Sequence, residues 1–310
     1  AKANEALTRG NPIHVMLSRA SGFSLQEGIL LEALLDPTQE PFLKDHTLNG
    51  TPLLPGVMGI EGFAVAAEHV ASTLGSAKGG FRVESLSEIE FLTPFKFYKE
   101  EPRLITWKAQ VVREAEGLVA DVTLESKLAR IQGKVDLLNH FKGKVHLVPF
   151  NQPRKTETSK PPHWNGAYTI QPEDIYKLYF HGPSFQVLEG VQKDGDTVLG
   201  KLNKQIPPFA NNKDLMLSVP ILVELCFQTA GIWEIGIDGA LSLPKSIGKL
   251  RLFESKVNGI PIFAQVKQEV STSGERSFNA RVIDSQGLVY LEIDQYKTST
   301  LPYSVEKQLL

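Results

Sequence analysis

Two groups of residues in this chain have the types and spacing needed to move protons. The first is the loop Phe42-Leu43-Lys44-Asp45-His46-Thr47-Leu48-Asn49-Gly50-Thr51-Pro52-Leu53-Leu54-Pro55-Gly56, which runs directly into an apolar stretch. An imidazole in such a loop is available as a base near neutral pH. The helix that follows opens with amides that lack partners within the helix, which suits an oxygen gaining negative charge. Gly56 permits close backbone approach there. The second group is Glu224 and Gln228, four residues apart and so on one face of an otherwise apolar helical stretch. A carboxyl in apolar surroundings tends to keep its proton and can serve as a general acid.

The elements around these groups repeat. Pro55 opens an apolar helix expected to run to Ala71, followed by a strand from Leu86 to Phe97; Pro220 opens another to Ile235, followed by a strand from Leu243 to Phe253. Proline suits a helix start because its φ is preset and it has no N–H to leave unpaired. Neither helix has a broad polar face, so each is expected to be wrapped by other structure. Near-alternating segments at Leu104–Val112, Leu118–Leu124, Phe263–Val266 and Phe278–Ile283 predict antiparallel strands. An apolar helix wrapped by antiparallel sheet, occurring twice, gives an α+β pseudo-dimer within one chain.

Between the copies, Pro149, Pro153, Pro161 and Pro162 are interleaved with polar residues, the composition of an exposed connector. The expected division is therefore 1–148, a linker at 149–165, and 166–310. Counted from the helix-opening prolines, His46 corresponds to Asn211 and Glu224 to Gly59. Each half keeps one acid/base group and lacks the other, as a fused homodimer with one surviving shared site would. This predicts that His46 and Glu224 face one cavity.

Composition removes other classes. The 310 residues are 42% hydrophobic and 22% charged with a formal net charge of -2, a globular balance without the basic stripe that nucleic acid or an anionic membrane requires. Cys226 is the single cysteine, which excludes an internal disulfide and fits a cytoplasmic setting; two positions from Glu224 it reads as a packed small hydrophobe. His14, His69, His140, His146 and His163 have no metal-ligand spacing, so no metal is expected. Gly79-Gly80 lacks the features of a phosphate loop and reads as a surface turn. The first residues, Ala1-Lys2-Ala3-Asn4, carry neither an initiator Met nor an apolar leader, as in a piece of a longer polypeptide.

In this order along the chain, the motifs resemble those of polyketide synthase dehydratase domains. His46 to Pro55 is similar to the family's HxxxGxxxxP, and Phe42 to Pro55 to its extended FLxDHxxxGxxLLPG form. His181-Gly182-Pro183-Ser184-Phe185-Gln186 is similar to YGPxFQ, Val219-Pro220 through Gln228 to HPxLLDxxxQ, and Leu243-Pro244-Lys245-Ser246-Ile247 to LPxSI. The resemblance implies a double hot-dog fold and elimination of water from a β-hydroxyacyl thioester carried on an acyl carrier protein. His46 would be the base and Glu224 the acid. Gly56, Gln228 and His181 would position substrate and acid, with Gly50, Pro55, Gly182 and Pro183 shaping the motifs. It implies no bound cofactor, a phosphopantetheine-borne substrate in polyketide or polyketide-like fatty acid synthesis, neighbouring synthase domains and a homodimer.

The chain departs from the family pattern twice. Glu224 stands where the family has aspartate, so the site must accommodate one more methylene; related single hot-dog dehydratases of fatty acid synthesis also pair His with Glu. His181 stands at the motif tyrosine, bringing a donor of different shape and acidity. A double-bond isomerase or hydratase using the same groups, and a non-catalytic acyl-binding scaffold, are the competing readings.

Overall fold

In a computed structural model, residues 14–24, 28–74, 80–114, 117–129, 135–210, 216–253, 259–269 and 276–304 are described. Ala1-Lys2-Ala3-Asn4, Gly79 and Asn211 lie outside them. The chain forms two compact units, Ala1–Pro153 with Pro208–Ser218, and Arg154–Pro207 with Val219–Leu310. Each is an antiparallel sheet packed around one 19-residue helix, the hot-dog arrangement, so the chain is a double hot-dog.

In the first unit the sheet order is β1 (Arg19–Ser24), β2 (Gly28–Leu35), β6 (Arg103–Glu114), β7 (Gly117–Ala129), β8 (Val135–Pro149) and β5 (Phe81–Phe91). Its central helix, α2 (Gly56–Leu74), lies on β5 to β8. Small residues bring it close: a Cβ on Gly62 would sit 2.0 Å from the buried Trp107 ring, and one on Gly59 2.4 Å from Phe141. These rings occupy the space that side chains would need. The expected strand from Leu86 to Phe97 ends at Phe91. Pro94 has no ladder N–H to give, and the amides of Leu92 and Thr93 turn instead to the His140 carbonyl.

In the second unit the order is β10 (Leu188–Asp194), β11 (Thr197–Leu202), β13 (Ile262–Glu269), β14 (Ser277–Asp284), β15 (Leu288–Ser304) and β12 (Ala240–Leu252). The short β9 (Glu157–Thr158) pairs with β15. Its central helix, α4 (Pro220–Asp238), lies on β10 to β14. Pro244 falls within β12, and the pairing slips between Pro244 and Ser246, which accommodates the missing N–H.

The division of the chain falls at Pro153/Arg154, and the expected connector is partly structured: β9 pairs there, and Ser159 accepts a hydrogen bond from Arg281. Residues 208–218, expected with the second half, belong to the first unit. The reason is a carboxylate: Glu61 of α2 accepts the amides of Leu217 and Ser218, each at 2.8 Å.

Candidate active site

In the first unit a short helix, α1 (Pro41–Lys44), buries Phe42 and Leu43 and anchors the loop ahead of His46. A two-residue hairpin follows, β3 (Thr47–Leu48) paired with β4 (Thr51–Pro52). Its turn residues, Asn49 and Gly50, have φ of 50° and 74°, the primed geometry that Asn-Gly favours. This explains the spacing from His46 to Gly50: the hairpin sets His46 opposite Leu53, whose N–H donates to the His46 carbonyl at 3.0 Å. The imidazole Nδ1 lies 3.0 Å from the Leu53 carbonyl oxygen. A carbonyl only accepts, so Nδ1 carries the hydrogen, and in neutral His46 the Nε2 lone pair is left to accept.

Pro55 precedes the first helical residue, and its carbonyl accepts the Met58 and Gly59 amides. Gly56 therefore stands in the first turn of α2, where amides have no acceptor within the helix. A Cβ there would meet the Phe91 ring at 3.0 Å.

In the second unit Gly182 and Pro183 form a single 3-10 turn over Pro183–Phe185, closed by the Phe185 N–H on the Gly182 carbonyl. The turn directs the Phe185 carbonyl at Gln228, whose Nε2 donates to it at 2.8 Å. The same nitrogen donates to Glu224 Oε1 at 2.8 Å, and His181 Nε2 lies 3.3 Å from that oxygen. Glu224, Gln228 and His181 thus form one cluster, with Glu224 5% exposed. His181 is part of the carboxyl's surroundings rather than only the first residue of a turn. Cys226 is buried and its thiol is pushed well up by burial, as a packed hydrophobe's would be.

Two participants have no counterpart in the sequence reading. Tyr176, on the short helix α3 (Pro172–Leu178), donates its hydroxyl to Gln228 Oε1 at 3.0 Å. Burial pushes that hydroxyl's pKa up and keeps it a donor. Glu61 is 0% exposed on α2 and also accepts the Ser218 hydroxyl at 2.6 Å, with His14 Nε2 at 3.2 Å. A carboxyl interrupting an apolar helix marks Glu61 as it marks Glu224; no local signal marks Tyr176. Among the described residues, no three His, Cys, Asp or Glu side chains are grouped to hold a metal ion, and no helix is long and apolar enough to cross a membrane.

Comparison with known proteins places these features. Residues 14–126 match the model of the polyketide synthase dehydratase domain, and residues 169–307 match that of the polyketide synthase dehydratase N-terminal domain. The chain is 22% identical over 274 residues to naringenin synthase of Pestalotiopsis fici, covering 82% of this chain and 10% of that protein. It is 25% identical over 289 residues to polyketide synthase PksL of Bacillus subtilis, covering 85% of this chain and 6% of that one. The chain therefore spans a tenth or less of these relatives. Among solved structures, the dehydratase domain from the CurF module of curacin polyketide synthase superposes with a TM-score of 0.72 at 16% identity, over 94% of this chain and 100% of that one. A trans-AT polyketide synthase dehydratase domain from Brevibacillus brevis gives 0.71 at 20% identity, over 94% and 100%.

Proposed function

The chain belongs to the polyketide synthase dehydratase family, and from that premise we propose that it eliminates water from a β-hydroxyacyl thioester borne on the phosphopantetheine arm of an acyl carrier protein. The product is the α,β-unsaturated acyl thioester. The observation that carries the reading is the polarity of the two groups: His46 has its hydrogen held on Nδ1 by a backbone carbonyl, and Glu224 is a buried carboxyl that accepts from Gln228. One is arranged to take a proton and the other to give one.

His46 Nε2 removes the α-proton, and the C–H electron pair becomes the Cα=Cβ bond. The Cβ–O bond breaks, and the Glu224 proton joins the departing hydroxyl to form water. The pair is left as imidazolium and carboxylate and resets by proton exchange with solvent. As the α-carbon loses its proton the thioester oxygen gains charge, and the Gly56 amide in the first turn of α2 is the proposed donor to it. Gln228 holds the acid in place. The thioester supplies the activation, so the reaction calls for no organic cofactor or metal. Neighbouring synthase domains, a homodimer and a cytoplasmic setting complete the proposal.

Incubation of the chain with β-hydroxyacyl-pantetheine or carrier-bound thioesters, followed by mass spectrometry for loss of one water, tests it. Turnover abolished by His46→Ala and by Glu224→Gln supports it. No turnover at any chain length, together with reverse hydration indifferent to both substitutions, sinks it.

A further inference from the structure

The hairpin that carries His46 is laid against a second stretch of backbone, the strap 92–97 that follows β5. The Leu54 N–H donates to the Phe95 carbonyl at 3.0 Å and the Phe97 N–H to the Pro52 carbonyl at 2.9 Å, with Leu53 bridged antiparallel to Lys96 between them. The Leu53 carbonyl and the Leu54 N–H belong to one rigid peptide plane and point opposite ways. One faces His46 Nδ1 and the other the strap. Where Phe95 lies therefore sets where the Leu53 carbonyl points.

The strap is held in turn by His140 of β8. Its carbonyl accepts the Leu92 and Thr93 N–H groups at 2.8 and 3.2 Å, and its imidazole Nδ1 lies 3.0 Å from the Thr93 carbonyl oxygen. Nδ1 must donate there, which leaves Nε2 to accept the Ser126 hydroxyl at 2.8 Å. Because Pro94 has no N–H, the Thr93 carbonyl is the one hydrogen-bonding group of the Thr93–Pro94 peptide, and it is taken by the imidazole. The same ring packs on Phe95 at 4.7 Å, while the Arg103 guanidinium covers Phe95 at 4.1 Å and donates to the Lys96 carbonyl. Burial pushes the pKa of His140 down, and the Arg103 cation adds to this, so the ring is neutral near neutral pH and keeps its hydrogen on Thr93.

We propose that His140 is a positioning residue for the base: through Thr93 and Phe95 it fixes the 92–97 strap, and through the Leu53–Leu54 peptide the strap keeps the hydrogen of His46 on Nδ1. The effect on turnover rests on the dehydration reading; the effect on the His46 tautomer does not. The imidazole Nδ1–H is the part that matters. Without it the strap keeps two amide bonds to the His140 carbonyl, but the Thr93–Pro94 peptide loses its donor, and Phe95, two residues further on, is no longer held in register with Leu54.

The test uses two amides that replace opposite ends of the imidazole. An asparagine nitrogen falls near Nδ1 and can still donate to Thr93, whereas a glutamine nitrogen falls near Nε2 and faces Ser126; both lose the ring. Read by NMR of the imidazole nitrogens, the ratio of Nδ1–H to Nε2–H tautomers of neutral His46 should fall about tenfold in His140→Gln and be largely retained in His140→Asn. With a β-hydroxyacyl-pantetheine thioester, kcat should follow the same order, about tenfold lower in His140→Gln at unchanged KM. An unchanged tautomer ratio in a folded His140→Gln chain overturns the proposal, and so does an equal fall in both variants, which lost packing alone would give. Should the glutamine chain not fold, hydrogen exchange in the unmodified chain decides. The Leu54 and Phe97 amides should exchange with those of Leu92 and Thr93 as one opening unit; exchange about tenfold faster would show the hairpin opening while the strap stays anchored, and would overturn it. Should the unmodified chain turn over no thioester, the dehydration reading falls, and the tautomer comparison still decides the role of His140.

Discussion

The central helices of the two units each bury a glutamate, and the two carboxyls are treated in opposite ways. Glu61 on α2 receives the Leu217 N–H and His14 on one oxygen and the Ser218 N–H and hydroxyl on the other. It ties Leu217 and Ser218 to α2 and is completely enclosed. Glu224 on α4 has Gln228 and His181 at Oε1. Burial alone therefore does not distinguish the carboxyl proposed as the acid from one that holds the scaffold. The partners do: Glu61 ties residues far along the chain through backbone amides and a hydroxyl, whereas Glu224 meets the amide and imidazole side chains of Gln228 and His181.

The contrast breaks first at the carboxyls themselves. Glu224→Gln should lower kcat for dehydration by about 10²–10⁴-fold, with the fold retained by circular dichroism. Glu61→Gln should instead destabilise the chain by about 3–5 kcal/mol, because an NH2 group would face the donors of residues 217 and 218; chemical denaturation reads it. A Glu61→Gln chain as stable as the unmodified one would remove the distinction. The next effect falls on the donor that holds Gln228. Tyr176→Phe leaves the Leu188 N–H and Gln228 Oε1 without their hydroxyl partner and should lower kcat about tenfold at unchanged KM in steady-state kinetics. Restoration of much of the rate by a fluorinated tyrosine, which keeps the O–H, would separate orientation from packing.

Smaller effects come from how each unit enters its helix. In the first, positive φ falls on Asn49 and Gly50; in the second it falls on Val219, at φ 50° immediately before Pro220. Gly50→Ala places a Cβ at φ 74° and should cost about 1–2 kcal/mol in a denaturation curve. Val219→Gly should do the reverse and stabilise by up to about 1 kcal/mol, the strain relieved being partly offset by glycine's chain entropy.

What could be read from the sequence is what is encoded locally. The interval from His46 through Gly50 to Pro55 is a hairpin and a helix start, and the interval from Glu224 to Gln228 is one helical turn, so their spacing survives folding unchanged. Alternation along β6 and β7 was legible because one face of each strand is buried against α2. The strand expected up to Phe97 failed because Pro94 is a stop that hydrophobicity does not register. Glu61 meets partners more than 150 positions away, and Tyr176 reaches Gln228 from 52 positions away. Pairings of that kind depend on how sheets close around helices. They leave no trace in spacing.

The Leu53 carbonyl that holds His46 also bears on how the site responds to mutation. Since the contact is made by backbone, side chains at position 53 can be exchanged widely without changing the tautomer of His46, whereas inserting or deleting one residue between 46 and 53 would dismantle it. The tautomer of His46 is stored in chain length rather than in the identity of residue 53. Substitutions at position 53 should therefore leave the His46 tautomer in place by NMR, whereas a one-residue insertion between 46 and 53 should lose it.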